Sequence, residues 1–169
     1  MVSPDVVRTV VGIIGNVISL ILFLSPVPTF VRIWKKGSVE QYSPAPYLAT
    51  LANCMVWALY GLPIVHPHSI LVVTINGSAI FIELSYIILF LIYASDKKQR
   101  LKVLLGLLVE LILMALLVLM VLTVAHTHER RSLIVGIVCI LCNIMMYASP
   151  LAVMMGRTTQ NGSAPHHGT

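Results

Sequence analysis

Ser25-Pro26-Val27-Pro28-Thr29-Phe30 lies near the end of the chain's first long apolar run. Proline inside a hydrophobic helix removes a backbone hydrogen bond and kinks the chain, and hydrocarbon offers the freed carbonyl no water in its place. The Ser-Pro pair returns at Ser149-Pro150-Leu151. A shift that carries Val11-Gly12-Ile13 onto Val135-Gly136-Ile137 also carries Ser25-Pro26 onto Ser149-Pro150 without a gap, and sets Ser19 against Asn143 and Phe23 against Tyr147. A glycine, a polar position, an aromatic and a proline pair that keep register together mark an internal repeat.

Composition sets the class. The mean hydropathy of +0.94, with 58% hydrophobic and 10% charged residues among 169, describes a polytopic membrane protein. A helix needs about 20 apolar residues to cross the hydrocarbon core. Five stretches qualify: Val6 to Ile33, Ala45 to Val65, Ser69 to Tyr93, Leu101 to Val124 and Leu133 to Met155. They fill the chain, so any chemistry belongs to the membrane or to short loops. The first run is too long for a signal-peptide core and carries no small-residue cleavage site.

Orientation follows from the cations. With the N-terminus outside, Arg32, Lys35, Lys36, Lys97, Lys98, Arg100, Lys102 and Arg157 are cytoplasmic, and only Arg8, Arg130 and Arg131 lie outside. That bias obeys the positive-inside rule, so the net charge of +5 reads as a topology signal. No aromatic-studded basic stripe points to nucleic acid. The plasma membrane is the expected location, with the C-terminus in the cytoplasm.

Within the spans, Gly12, Gly15, Asn16, Ser19, Phe23 and Pro26 recur at helical spacing and form a small-residue seam, which serves helix packing or borders a solute path. Pro44 suits a helix start; Pro46, deeper in, is expected to bend the second span. Asn53, Trp57 and Tyr60 share a face, with Gly61 and Pro63 at the far end. An amide, an indole and a phenol together suit a sugar, although aromatics near helix ends also anchor at the interface. Asn76 and Glu83 share a face of the third span. Asn76 is the better ligand, because an amide both donates and accepts. Glu83 must face the bundle or water, as a structural acceptor or as a proton-coupling site. The fourth span is nearly all aliphatic with Glu110 its lone charge, and reads as a linker that restores parallel orientation between the two repeats.

Taken together, PVPTF at Pro26–Phe30, YSPAPY at Tyr42–Tyr47, WALYGLP at Trp57–Pro63, TINGSAIFIE at Thr74–Glu83 and MYASPLAVM at Met146–Met154 resemble the SWEET family of sugar carriers. Order and spacing carry the resemblance, which extends to about Arg157. It implies a seven-helix type of facilitator that moves mono- or disaccharides down their gradients by alternating access. On matched positions it implies Asn76, Trp57 and Asn53 as sugar-binding residues, Leu22 and Met146 as residues that size the pocket, and Pro26, Pro46 and Pro150 as hinges. Tyr60 and Gly61 then match an outer gate.

The expected architecture is an all-α membrane protein. It comprises a three-helix-bundle repeat (1–94), a loop and linker helix (95–125), the first helix of a second parallel repeat (126–156) and a disordered polar tail (157–169). The family continues with two more helices where this chain passes into its polar tail. A truncated product is therefore expected, transporting only as a homo-oligomer or with full-length paralogues; the alternative is a non-transporting isoform that modulates an intact carrier. The bilayer and a hexose such as glucose, or sucrose, are the expected partners. No catalytic residues, cofactor or metal are expected. The histidines of His66-Pro67-His68, even joined by His126 and His128, lack a carboxylate or thiolate at ligand spacing. Hydrolase and nucleotide motifs are lacking, and Cys139-x-x-Cys142 lies within an apolar span, away from a redox setting.

Overall fold

The computed structural model describes residues 2–40 and 42–162; at Ser149, Pro150, Val153 and residues 157–162 it describes the backbone alone. The described chain is all α-helical: α1 (Pro4–Leu24), α2 (Val27–Lys36), α3 (Ala45–Gly61), α4 (Ile70–Tyr93), α5 (Lys97–Val124) and α6 (His128–Gly162). Four spans are long and apolar enough to cross a membrane: Pro4–Lys36, Ile70–Tyr93, Lys97–Val124 and His128–Ala148.

Local chemistry places the ends. Ser3 caps α1 by accepting from the Val6 amide, with Pro4 in the first turn. Ser25 and Pro26 then break the run, so α1 and α2 are two pieces of one span. α2 stops at Gly37, whose φ of 68° is the left-handed cap that glycine takes without strain. Asp96 caps α5 by accepting from the Lys98 amide at 3.0 Å.

The second span differs from the sequence reading. α3 has 17 residues, about 25 Å at 1.5 Å per residue, because turns take over at Leu62 to Val65. Pro46 lies in its first turn, where a missing N–H costs nothing, so the bend expected there is not seen. α6 stays helical through Pro150 and on to Gly162. The helical backbone thus runs into the stretch expected to be a disordered tail, whose remainder from 163 lies outside the described residues.

α4 is the centre of the bundle. It packs on α1, α2 and, most extensively, α3; α3 in turn meets α6, and α5 lies against α3, α6 and α4. Only part of the expected small-residue seam is used. Gly12 faces α4 so closely that a Cβ there would fall 2.5 Å from Leu71 Cδ1, whereas Gly15 has open space beside it. Asn16 fastens the seam: its Nδ2 donates to the carbonyls of Gly12 (2.9 Å) and Leu71 (3.3 Å), and its Oδ1 accepts from Thr74 Oγ1.

Two apolar clusters sit at opposite ends of α3. One, at the proline end, gathers Phe30, Ile33, Leu51, Tyr86, Ile87, Phe90 and Val103. The other, at the histidine end, gathers Val56, Leu59, Val65, Val121, Val135 and Cys139, flanked by Trp57 and Tyr60. The turns before and after α5 close alike. Arg100 Nε donates to the carbonyl of Ala94 at 2.6 Å, and Arg131 Nε to that of Ala125 at 2.9 Å. Both alanines are fully buried. Arg131 also reaches the Ile64 carbonyl at 3.2 Å, which ties the loop after α3 to the start of α6.

Candidate functional site

The face of α3 that carries Trp57 and Tyr60 meets α6. Trp57 Nε1 donates to Asn143 Oδ1 at 3.3 Å, so an indole and an amide, each able to serve a sugar hydroxyl, bridge the two helices. The rings of Trp57 and Tyr60 meet edge to face at 5.7 Å. Tyr60 stacks in turn on the His66 imidazole, 5.0 Å away and 14° from parallel. His66 Nδ1 and Ser132 Oγ lie 2.6 Å apart, a second polar tie from the α3 side to α6. Gly136 of α6 lies against this row, where a Cβ would stand in ordinary contact, 3.4 Å from the Tyr60 ring.

Beside these residues opens a groove of about 550 Å³, lined by Tyr60, His66, Pro67, His128, Glu129, Ser132, Leu133, Gly136, Ile137 and Ile140. Its size falls within the range of small-molecule sites, roughly 300–1,000 Å³. A ring face with hydroxyl, imidazole and carboxyl groups at its edge can stack on a polar solute and hydrogen-bond it. Among the described residues no cluster of three or more His, Cys, Asp or Glu has metal-holding geometry.

The other expected site residues lie on four different helices. Asn76 is half-buried on α4, its Nδ2 donating to the Val72 carbonyl of its own helix at 2.8 Å. Asn53 is half-buried on α3, and its buried Oδ1 finds no partner among the described residues. No side-chain hydrogen bond joins either asparagine to Trp57 among the described residues. Met146 is half-buried on α6, while Leu22 is 64% exposed on α1. Gly61 has a packing reason: a Cβ there would lie 2.9 Å from Val73 Cγ2 and 3.1 Å from Val72 Cβ, so it is what lets α3 and α4 touch.

Glu83 faces the bundle, 3% exposed, with Oε2 unpartnered among the described residues. It is close enough to Tyr47, Cys54 and Tyr86 to act on them electrostatically, and it does not line the groove. Sequence reasoning missed Asn143 and the His66–Ser132 pair as site members. The signal for Asn143 was present: it is an amide in an apolar span, as Asn76 is. His66 and Ser132 are 66 residues apart and unremarkable singly.

Comparison with known proteins supplies the family. A profile described as "Sugar efflux transporter for intercellular exchange" matches residues 9–98. The chain is 62% identical over 154 residues to the bidirectional sugar transporter SWEET4 of Oryza sativa subsp. indica, covering 91% of this chain and 59% of that protein. It is 58% identical over 150 residues to the bidirectional sugar transporter SWEET7 of Arabidopsis thaliana, covering 89% of this chain and 58% of the relative. A solved eukaryotic SWEET transporter superimposes with a TM-score of 0.84 at 38% identity, over 97% of this chain and 75% of that one. The chain belongs to the SWEET family. As a SWEET member it is an integral membrane protein, and the relatives named here are transporters, not enzymes. It spans about 59% of the length of the curated SWEET4 relative.

Proposed function

We propose that this SWEET chain builds one side of a sugar facilitator and moves a hexose such as glucose, with sucrose as the disaccharide alternative, down its gradient by alternating access. The observation that carries the reading is the Trp57–Asn143 pair joining α3 to α6, with Tyr60 at the mouth of the groove. Trp57 and Asn143 do not themselves line the groove, but the indole meets Tyr60, which does, at 5.7 Å; an indole that stacks and an amide that accepts are groups suited to a neutral polyol. In this reading Asn76, Asn53 and Trp57 hold the sugar, Leu22 and Met146 size its pocket, Tyr60 and Gly61 gate one end, and Pro26, Pro46 and Pro150 lie at the hinges. The repeat 1–94, the linker 95–125 and the helix 126–156 act as the working units, with the N-terminus outside, the C-terminus cytoplasmic and the plasma membrane as host.

Partnership completes the site. The groove is open where Leu133, Ile137 and Ile140 of α6 stand exposed, and a second copy or a full-length paralogue is proposed to cover it there. Uptake of labelled glucose into proteoliposomes, with the chain alone and with a full-length paralogue, tests the reading. Uptake that disappears with Asn76→Ala supports it. Absence of uptake in both formats overturns it and leaves modulation of an intact carrier.

A further inference from the structure

Breaking the first span leaves the Phe23 carbonyl without the amide that a continuous helix would supply from Val27. Across the break the recorded backbone bonds are Ser25 to Leu22, Thr29 to Pro26 and Phe30 to Pro26; among the described residues, none reaches Phe23. In a membrane an unmet carbonyl costs several kcal/mol. The structure supplies a donor from another helix: Tyr86 Oη of α4 donates to the Phe23 oxygen at 2.9 Å.

The same tyrosine also grips the far side of the break. Its ring stacks on Phe30 of α2 with centroids 4.4 Å apart and planes 8° from parallel, and both residues are buried, at 5% and 4% exposure. Tyr47 of α3, next to Pro46, closes the trio. It meets Phe30 edge to face at 5.0 Å and Tyr86 at 5.8 Å. One side chain thus holds the last turn of α1 by its hydroxyl and α2 by its ring, beside both Pro26 and Pro46. Behind it, between α2 and α4, a groove of about 300 Å³ lined by Val27, Phe30, Val31, Trp34, Tyr86, Leu89 and Tyr93 leaves α2 space to swing.

We propose that Tyr86 is the latch of the proline break, a positioning residue that fixes the angle between α1 and α2 and must let go of the Phe23 carbonyl when that angle changes during transport. The transport part of this rests on the facilitator reading; the latch itself is a statement about the break. Tyr86 is not among the residues proposed to hold the sugar and does not line the groove beside Tyr60, so it acts on the rate of the conformational step and leaves sugar affinity alone.

The test pairs amide hydrogen exchange of the chain in lipid nanodiscs with the concentration dependence of glucose uptake. Tyr86→Phe keeps the ring and removes the donor. Losing about one hydrogen bond, exchange at Thr29 and Phe30, whose amides donate to the Pro26 carbonyl, accelerates about tenfold, while the maximal uptake rate falls and the half-saturating glucose concentration holds. Phe30→Leu keeps the hydroxyl and loosens the stack, giving a smaller acceleration at the same amides, and it carries the test if Tyr86→Phe does not fold. Unchanged exchange at those amides, or acceleration spread evenly over α1 and α4, overturns the latch. Absence of wild-type uptake both alone and with a full-length paralogue overturns the facilitator reading, while the exchange comparison still decides the latch.

Discussion

The two ends of α3 are built on opposite principles. At the proline end, three rings from α2, α3 and α4 close on one another, and the Phe23 carbonyl freed by the break is answered by Tyr86. At the histidine end, α3 and its following loop reach α6 through Trp57–Asn143 and His66–Ser132, around a groove wide enough for a solute. The first end is joined by stacked rings and one interhelical hydrogen bond; the second adds two side-chain hydrogen bonds to its own apolar cluster. The contrast teaches that, under the proposed function, the ring packing and the polar ties that would serve a solute are separated along one short helix.

The sharpest way to exploit that separation is to remove recognition without touching packing. Asn76→Ala is expected to lower glucose uptake at least about tenfold with little change in unfolding, because its amide bonds only its own helix. Phe30→Ala works in the reverse sense: emptying a buried ring site costs about 3–5 kcal/mol, read as a lowered unfolding midpoint of the reconstituted protein. A midpoint loss for Tyr60→Ala as large as that for Phe30→Ala would break the comparison.

Between these extremes lies Gly61→Ala, whose added methyl meets Val72 and Val73 and is expected to cost about 1–3 kcal/mol by overpacking. Gly15→Ala is its control: with open space around it, removing a mid-helix glycine should leave stability level or raise it slightly. Ser132→Ala at the histidine end should cost about 1 kcal/mol, one hydrogen bond. Lys36→Gln should change nothing measurable in the same unfolding assay, since the Lys36–Glu40 pair at 2.8 Å is exposed on both sides and such pairs contribute little.

What the sequence reveals, and what it conceals, divides by range. The break at Ser25-Pro26 is legible because proline acts on its own helix. The helical class and the family are equally legible from apolar run lengths and motif order. Gly15 was placed on the packing seam by spacing alone, yet the face of α1 that meets α4 runs through Gly12 and Asn16 and leaves it aside. A 100° wedge of helix cannot be narrowed to a line without the neighbour. Pro46 reads as interior because it follows Pro44, which suits a helix start; in the structure Pro44 is the cap and the helix begins at Ala45, which leaves Pro46 in the first turn. The bonds that define the site and the break, Trp57–Asn143 and Tyr86–Phe23, span 86 and 63 residues. No local pattern announces them, because either partner alone is an ordinary membrane-helix residue.

The clasps at the two ends of α5 bear on how membrane orientation can be engineered. Arg100 and Arg131 each donate from Nε to the carbonyl of the residue that caps the preceding helix, Ala94 and Ala125. Neutralising either one to invert the protein in the bilayer would unfasten a corner in the same stroke, so a misfolded product could be mistaken for a flipped one. Lys97 and Lys98, exposed on the same turn, offer a cleaner handle on sidedness.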